Sequence, residues 1–444
     1  MKNNSIGLIA LAMIATLNLY AQPKKLSLQE ALAIAAENNK ALKAEILDIK
    51  SAQAETEISR GSMLPAISAS GGYSYYFDRQ VIFMPGAFTG NDTEPVVDVA
   101  VGGKNVFNTY LSLQQPIVGE AARRQIRSAQ LNETIQQLDV KGKRANLMVV
   151  VTATYYRALL VQETIELNRQ SLMRNIRSLE DSRQLFLQGK SLKVDTLRNF
   201  IVVENLKTTV SYLENQRKVI MLQLQHLLGQ NTDDEIILTD SLTNQPEDRS
   251  FAAVESVYAD AIQNRHDIQM QKLHVELSKN LLRQRNAQRL PTLSLVGMYQ
   301  LQAQADDRKF DSYRWPRTSF VGLQANVPIF TGNKINVSIR QSNIQLQKSM
   351  LQLEDATQKA NTEIATLQNN FKEVIQRLSI QERTVHAAEA NFRIVNDRYK
   401  NGLSSRLELS DAELALTEAK MNQLTLIFNL KIAKLQLDKA LGIL

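Results

Sequence analysis

The stretch GNKINVSIRQSNIQLQKSMLQLEDATQKANTEIATLQNNFKEVIQRLSIQERTVHAAEANFRIVNDRY (332–399) contains no proline and repeats an apolar rung in steps of four and three. From Leu346 the rungs are Met350, Leu353, Thr357, Ala360, Ile364, Leu367, Phe371, Val374, Leu378, Gln381, Val385, Ala388, Phe392, Val395 and Tyr399. That spacing is a heptad seam, the signature of a helix that packs lengthwise on a partner. At 1.5 Å per residue the segment makes a rod of about 100 Å, far longer than the average globular helix. Such a rod excludes a single compact ball.

Working outward, an earlier proline-free segment repeats the pattern more weakly. Within Ile117 to Phe186 the rungs are Leu147, Val151, Thr154, Ala158, Val161, Ile165, Leu172, Leu179 and Phe186. The two rods end alike, in FLQGKSLKVD (186–195) and YKNGLSSRLE (399–408), whose glycines Gly189 and Gly402 stand 213 positions apart. The same shift carries the LLG ending at Gly229 onto the ALG ending at Gly442, and a near-identical shift carries Pro116 onto Pro328. A fixed long-range repeat of this kind is the mark of a tandem duplication. We expect two structural repeats, 22–245 and 246–444, in one continuous architecture.

Each repeat also switches period. After a capping box at Ser27 and Glu30, a helix is expected to run to about Met63, where Pro65 stops it. Ile67, Ala69, Gly71, Tyr73, Tyr75 and Phe77 then alternate with polar or small neighbours, as a strand with one oily face does. Strands are expected at about 66–77 and 105–115, and in the second repeat at about 292–303 and 319–327, with Phe320 breaking the last alternation. A loop rich in Gly, Asp, Asn and Pro separates the first pair (78–104), and a polar loop holding Trp315 separates the second (304–318). Prolines 65, 116, 291 and 328 are expected at the four helix–strand junctions, where a missing N–H does least harm.

Composition narrows the function. Lys2, the apolar run Ile6 to Leu19 and Ala21 read as an export signal over 1–21, with cleavage after Ala21, although Leu19 is larger than the usual small residue there. No later segment reaches the roughly 18 unbroken apolar residues of a spanning helix. There is no cysteine, so disulfides, thiolate metal sites and an acylated N-terminal cysteine are excluded. The net charge of +7 is spread among interleaved acids and bases, as on solvated helix faces and unlike the basic stripe of a nucleic-acid binder. Histidines 226, 266, 274 and 386 form no i, i+4 pair, so no metal is assigned, and the acidic loop at Asp306, Asp307 and Asp311 is read as solvated. No phosphate loop, nucleophile elbow or catalytic acid pair is present, so neither an enzyme nor a cofactor is expected.

The oily-faced strands have the length of tilted outer-membrane strands, yet four cannot close a barrel, and an open edge in lipid leaves unpaired amides. Either copies of the chain pool their strands, or the hairpins are not in a membrane. A soluble periplasmic coiled-coil scaffold or adaptor is the competing class, although it has no use for proline-bounded oily strands.

With its two repeats of helix, strand, loop, strand, long helix, glycine turn and helix, the chain resembles the TolC-like outer-membrane efflux protein family. The turns RQLFLQGKSLKVDTL (183–197) and NDRYKNGLSSRLELSDAE (396–413) carry the resemblance most specifically. It implies a mainly α fold with transmembrane β: a homotrimer whose 12-stranded barrel in outer-membrane lipid continues into a periplasmic α-helical barrel. It further implies a passive duct whose tip docks a periplasmic adaptor (membrane fusion protein) and an inner-membrane pump. By position, Gly189, Lys190, Gly402 and Leu403 would dock the adaptor, although each glycine has a sufficient role in supplying its turn. Asp195 and Tyr399 would form a gate latch, with Arg406 near the place of the family's arginine, which is Ser404 here; Tyr399 is also simply the last rung of its seam. Glu408 and Asp411, on one helix face, would form an acidic constriction whose mutual repulsion raises their pKa values. Tyr73, Tyr75, Phe77, Tyr313 and Trp315 are candidates for membrane-interface aromatics, or else for aromatics that pack the loops.

Overall fold

In the computed structural model of the chain, the described residues are 24–90, 93–231, 236–243 and 262–443. The export signal expected over 1–21 and the expected start of the second repeat near Ser250 lie outside them. The chain divides into two compact units: Met1–Ile49 with Gln137–Gln271 and Leu353–Leu444, and Lys50–Gln136 with Lys272–Gln352.

In chain order the main described elements are β1 (Lys24–Leu26), α1 (Leu28–Asn38), α2 (Lys40–Gly61), β2 (Ala66–Tyr75), β3 (Gln80–Met84), β4 (Val97–Val101), β5 (Asn105–Val118), α3 (Glu120–Leu187), α4 (Lys193–Leu228) and β6 (Ile236–Leu238). They continue with α5 (His266–Ala287), β7 (Thr292–Ala305), β8 (Arg317–Asn326), α6 (Lys334–Lys400) and α7 (Arg406–Ala440). The rods α3 and α6 contain 68 and 67 residues. No described helix is long and apolar enough to cross a membrane.

In the first unit the heptad seam of α6 is buried as read. Ala360, Ile364, Phe371, Val374, Leu378 and Val385 are buried, and Ile364, Phe371, Val374 and Leu378 share a core with Val151, Tyr155, Ala158 and Ile165 of α3 and Leu426, Leu430 and Leu437 of α7. Along α3 the seam changes character toward its end: Asn168, Ser171, Asn175 and Ser182 are buried there, and the final rung Phe186 is 40% exposed. This is why its apolar ladder reads weakly in the sequence. The capping box forms, with Glu30 N–H donating to Ser27 Oγ at 3.3 Å and Ser27 N–H to Glu30 Oε2 at 2.8 Å. A parallel pairing of β1 with β6, which the sequence reading did not anticipate, is tied to α3 by Tyr155, whose hydroxyl contacts Leu26 O and Asp240 Oδ2 at 2.9 and 2.7 Å.

The helix expected from Ser27 to Met63 is two helices. Asn39, 7% exposed, accepts from Leu42 N–H at 2.9 Å and so caps α2, while its Nδ2 donates to Leu227 O at 2.8 Å. A side chain that caps from within a helical pattern breaks it there.

In the second unit the order β2-β5-β7-β8 makes one antiparallel sheet. Its register aligns the oily positions across strands: Ile67, Leu113, Gly297 and Val321 in one row, Ala69, Leu111, Tyr299 and Ser319 in the next. Ser68, Ser112 and Met298 line the opposite face, with the two serine hydroxyls 2.7 Å apart. A one-residue slip would exchange the faces entirely, so the alternation sets the register.

Two expectations about this unit are corrected. Pro116 does not close its strand: β5 continues to Val118, and the ladder shifts register between Pro116 and Val118, where a residue without an N–H is tolerated. The span 78–104 is not merely loop, because Ile82, Met84, Val97 and Val99 fall on one face of a two-stranded hairpin, β3–β4, hidden by the Gly- and Pro-rich residues around it. The helices of this unit pack through small polar groups, with Ser278 and Ser349 hydroxyls 2.8 Å apart and Asn280 Nδ2 donating to Arg124 O at 2.7 Å. Hence Met350 is 44% exposed, and the buried rung is its neighbour Ser349.

Candidate functional site

The two glycine turns share one backbone solution. Gly189 has φ +70° and Gly402 φ +72°, a left-handed conformation that costs other residues about 1–2 kcal/mol. In the first, Gly189 N–H donates to Phe186 O (2.9 Å) and Lys190 N–H to Leu185 O (2.8 Å). In the second, Gly402 N–H donates to Tyr399 O (3.0 Å) and Leu403 N–H to Arg398 O (2.9 Å). Both are Schellman caps, which satisfy the last carbonyls of a helix while turning the chain. A Cβ at either glycine would meet nothing within 4 Å, so backbone angle alone demands glycine there.

Beyond each turn a serine reaches the acid four positions on. Ser191 Oγ–H donates to Asp195 Oδ2 at 3.2 Å, and Ser404 bonds Glu408 in the same manner. The serines and the acids each stand 213 positions apart, as the glycines do, so the device recurs; Asp195, Ser404 and Glu408 were each marked by the family resemblance, but the serine–acid pairing was not. The Ser404 hydroxyl holds the exposed Glu408 carboxyl below its usual range. Within one chain the shift therefore runs opposite to that expected from mutual repulsion in an acidic ring. Asp411 is exposed one turn further along α7.

The turns differ in what surrounds them. Ser405 caps α7, accepting from Glu408 N–H at 3.3 Å, whereas Leu192 heads α4 with no side-chain cap. Arg406 sits over the Tyr399 ring, 5.9 Å from its centroid, and its Nε donates to Asn199 Oδ1 at 3.3 Å across to the first hairpin. Its Nη2 is buried without a hydrogen-bond partner. Asp195 accepts from Ser191, and no hydrogen bond joins Tyr399 to Asp195. Around the first turn Leu187, Leu192, Val194 and Leu197 are more than half exposed, with Lys190 beside them; around the second, Leu403 and Leu407 are.

One contact near the tip falls on residues that the sequence reading passed over. Glu413 of α7, 6% exposed, accepts from Arg174 Nε at 2.8 Å and from Asn175 Nδ2 at 3.1 Å, both on α3. Its signal was a lone acid on the stripe formed by Leu409, Ala412, Leu416 and Ala419.

In the sheet unit the aromatic candidates separate into two groups. Tyr73, Tyr313 and Trp315 converge on Phe107, with ring centroids 4.8, 6.0 and 6.2 Å from it. Tyr75 and Phe77 pack on each other at 5.6 Å. Asp306 is not simply solvated: it pairs with Arg79 and accepts from Lys104 N–H at 3.0 Å. Among the described residues no group of three or more His, Asp or Glu side chains converges as a metal site would.

Each long hairpin thus ends in a capped glycine turn, and the second unit is built on an oily-faced antiparallel sheet. The family model described as "Outer membrane efflux protein" matches residues 31–230 and 257–443, and the chain belongs to that family. Among relatives, it is 23% identical to the proteases secretion protein PrtF of Dickeya chrysanthemi, covering 91% of this chain and 87% of that one. It is 22% identical to the alkaline protease secretion protein AprF of Pseudomonas aeruginosa, covering 90% and 81%. The crystal structure of the outer membrane protein VceC of Vibrio cholerae shares the fold, with a TM-score of 0.73 at 18% identity over 94% of this chain and 96% of that one. The protein is thus an outer-membrane efflux channel with a periplasmic helical extension, and the soluble-scaffold reading falls away.

Proposed function

We propose that three copies of the chain join edge to edge into a 12-stranded barrel in outer-membrane lipid, continuous with a periplasmic α-helical barrel, and that this trimer is the passive exit duct of a tripartite efflux or type I secretion system. The observation that carries the reading is the state of the sheet's edges. β2 and β8 each have a neighbour on one side only, and Ile67, Tyr73, Val321 and Leu323 on them are more than half exposed. An apolar sheet with two open edges is stable in lipid only when the edges are paired. The organisation into 1–21, 22–245 and 246–444 belongs to the same proposal, the first segment being an export signal.

The tip docks a periplasmic adaptor and, through it, an inner-membrane pump. Both turns offer an exposed glycine flanked by an exposed base and leucine, Lys190 with Leu187 and Lys400 with Leu403, which suits a helical hairpin packing end-on. Substrate passes through unchanged, so no catalytic residue or cofactor is assigned. Tyr399, Asp195 and Arg406 form a latch once neighbouring copies are in place, with Glu408 and Asp411 as the acidic constriction. Aromatics clustered on Phe107 anchor one boundary of the barrel.

The test is reconstitution. Purified protein in planar bilayers should give discrete conductance steps of one size, and in cells it should stay with outer membranes after a high-salt wash. Photo-crosslinkers at Lys190 or Lys400 should capture an elongated adaptor. Release into the soluble fraction together with silent bilayers contradicts the proposal.

A further inference from the structure

The tip must hold two hairpins from different repeats in register, and the seam between them contains a buried acid where an aliphatic residue would pack. Glu413 stands two helical turns beyond Arg406, between the buried side chains Leu409, Ala412 and Leu416. Two donors from α3, Arg174 Nε and Asn175 Nδ2, converge on the single oxygen Oε1. Asn175 Nδ2 also reaches Ser171 O at 3.0 Å, and Asn175 is itself 5% exposed, so that side chain has one geometry available. Arg174 is more open, 35% exposed. A buried carboxylate that must meet an Arg fork and a fixed amide is poor evidence for stability but good evidence for register, because sliding α7 along α3 by one turn would strand it. Among the described residues, the other polar contact between the hairpins near the turns, Arg406 to Asn199, lies on the same side of α7, seven residues away.

We propose that Glu413 is a positioning residue of the tip: by clamping Arg174 and Asn175 of α3 it holds α7, and with it the second glycine turn and its Arg406 and Glu408, in the arrangement seen here. It acts through those groups and need not touch what passes. Nothing in the glycine turns themselves supplies this hold, since their hydrogen bonds are local.

Hydrogen exchange on the purified full-length protein tests it. Glu413→Ala removes both hydrogen bonds to the carboxylate and should speed amide exchange over 399–412 by at least about tenfold, the factor that loss of one charge-assisted hydrogen bond alone allows, and leave the Gly189 turn unchanged. Glu413→Gln keeps an acceptor oxygen at the same reach and should restore most of the protection. Glu413→Leu separates positioning from packing: filling the seam should raise thermal stability above that of the Ala variant while exchange at 399–412 stays fast. A second arm, which rests on the duct reading, is electrical, and open probability in bilayers should rise about tenfold for the Ala and Leu variants. If no conducting trimer forms, that reading fails, and the exchange result alone decides. Unchanged exchange in all three variants, equal acceleration at both turns, or recovery of protection in Glu413→Leu would overturn the role assigned to Glu413.

Discussion

The ends of the two hairpins, 186–199 and 399–413, share one backbone solution, yet they present different chemistry. Both have a left-handed glycine, the same pair of Schellman bonds, and a serine that ties the acid opening the next helix. Around that shared frame the first end turns apolar side chains outward, with Phe186, Leu187, Leu192 and Val194 exposed. The second turns polar groups inward, with Arg406 lying over Tyr399 and bonded to Asn199, and Glu413 clamped by the first rod. One geometry thus serves two surroundings: both ends expose leucines, but the first exposes more apolar side chains, and the second adds the polar contacts to the other hairpin.

The largest expected effect breaks the proposed link between the two ends. Tyr399→Phe with Asp195→Ala removes the phenol and carboxylate of the proposed latch, a charge-assisted bond worth about 1.5–3 kcal/mol when made. Single-channel conductance should rise severalfold, whereas Phe186→Ala at the first end should leave it unchanged. Equal responses would erase the difference.

Next in size is the charge of the second end. Glu408→Gln with Asp411→Asn should weaken cation preference and divalent block in bilayer recordings, because a threefold ring of carboxylates favours cations. The pH dependence has a definite sign. Ser404 stabilises the ionised Glu408, so the carboxylate remains charged below the usual range, and any stability it contributes is present at neutral pH and lost as pH falls through its lowered pKa. Ser404→Ala should move the acid limb of cation preference to higher pH.

The smallest effects test the shared frame. Gly189→Ala and Gly402→Ala should cost about 1 kcal/mol each, equally, since only the positive φ resists a Cβ at either site. Ser405→Ala removes a helix cap and should also cost about 1 kcal/mol in apparent thermal stability, whereas Leu192→Ala, at an uncapped position, should cost nearly nothing there. Unequal glycine penalties would mean that the two turns are not the same structure.

How far the sequence reaches is itself uneven between these regions. The α6 seam was legible because burial of Ile364, Phe371 and Leu378 follows a strict period, and the four long strands because alternation and register enforce each other. The α3 seam was only half legible, since the buried Asn168 and Asn175 donate to the backbone carbonyls of Thr164 and Ser171 one turn back and leave no apolar trace. Asn39 went unread because capping depends on a local conformation, and so did β1–β6, a three-residue pairing of segments about 210 positions apart. Pro116 misled because its harm depends on register, which only the neighbouring strand β7 defines. At the tip the glycines were placed by the internal repeat, and the acids Asp195, Glu408 and Asp411 by the family resemblance. Glu413 could not be assigned a partner either way, because its contacts break the repeat.

The claim under all of this is that each chain supplies one third of a closed wall. The sequence contains no cysteine, so introduced ones report without background. A cysteine at Ser70 on β2, combined in turn with cysteines from Thr318 to Gln324 on β8, should give under oxidation a ladder ending at three chains for the in-register pairings. A product confined to single chains, or a ladder that continues past three, would contradict it.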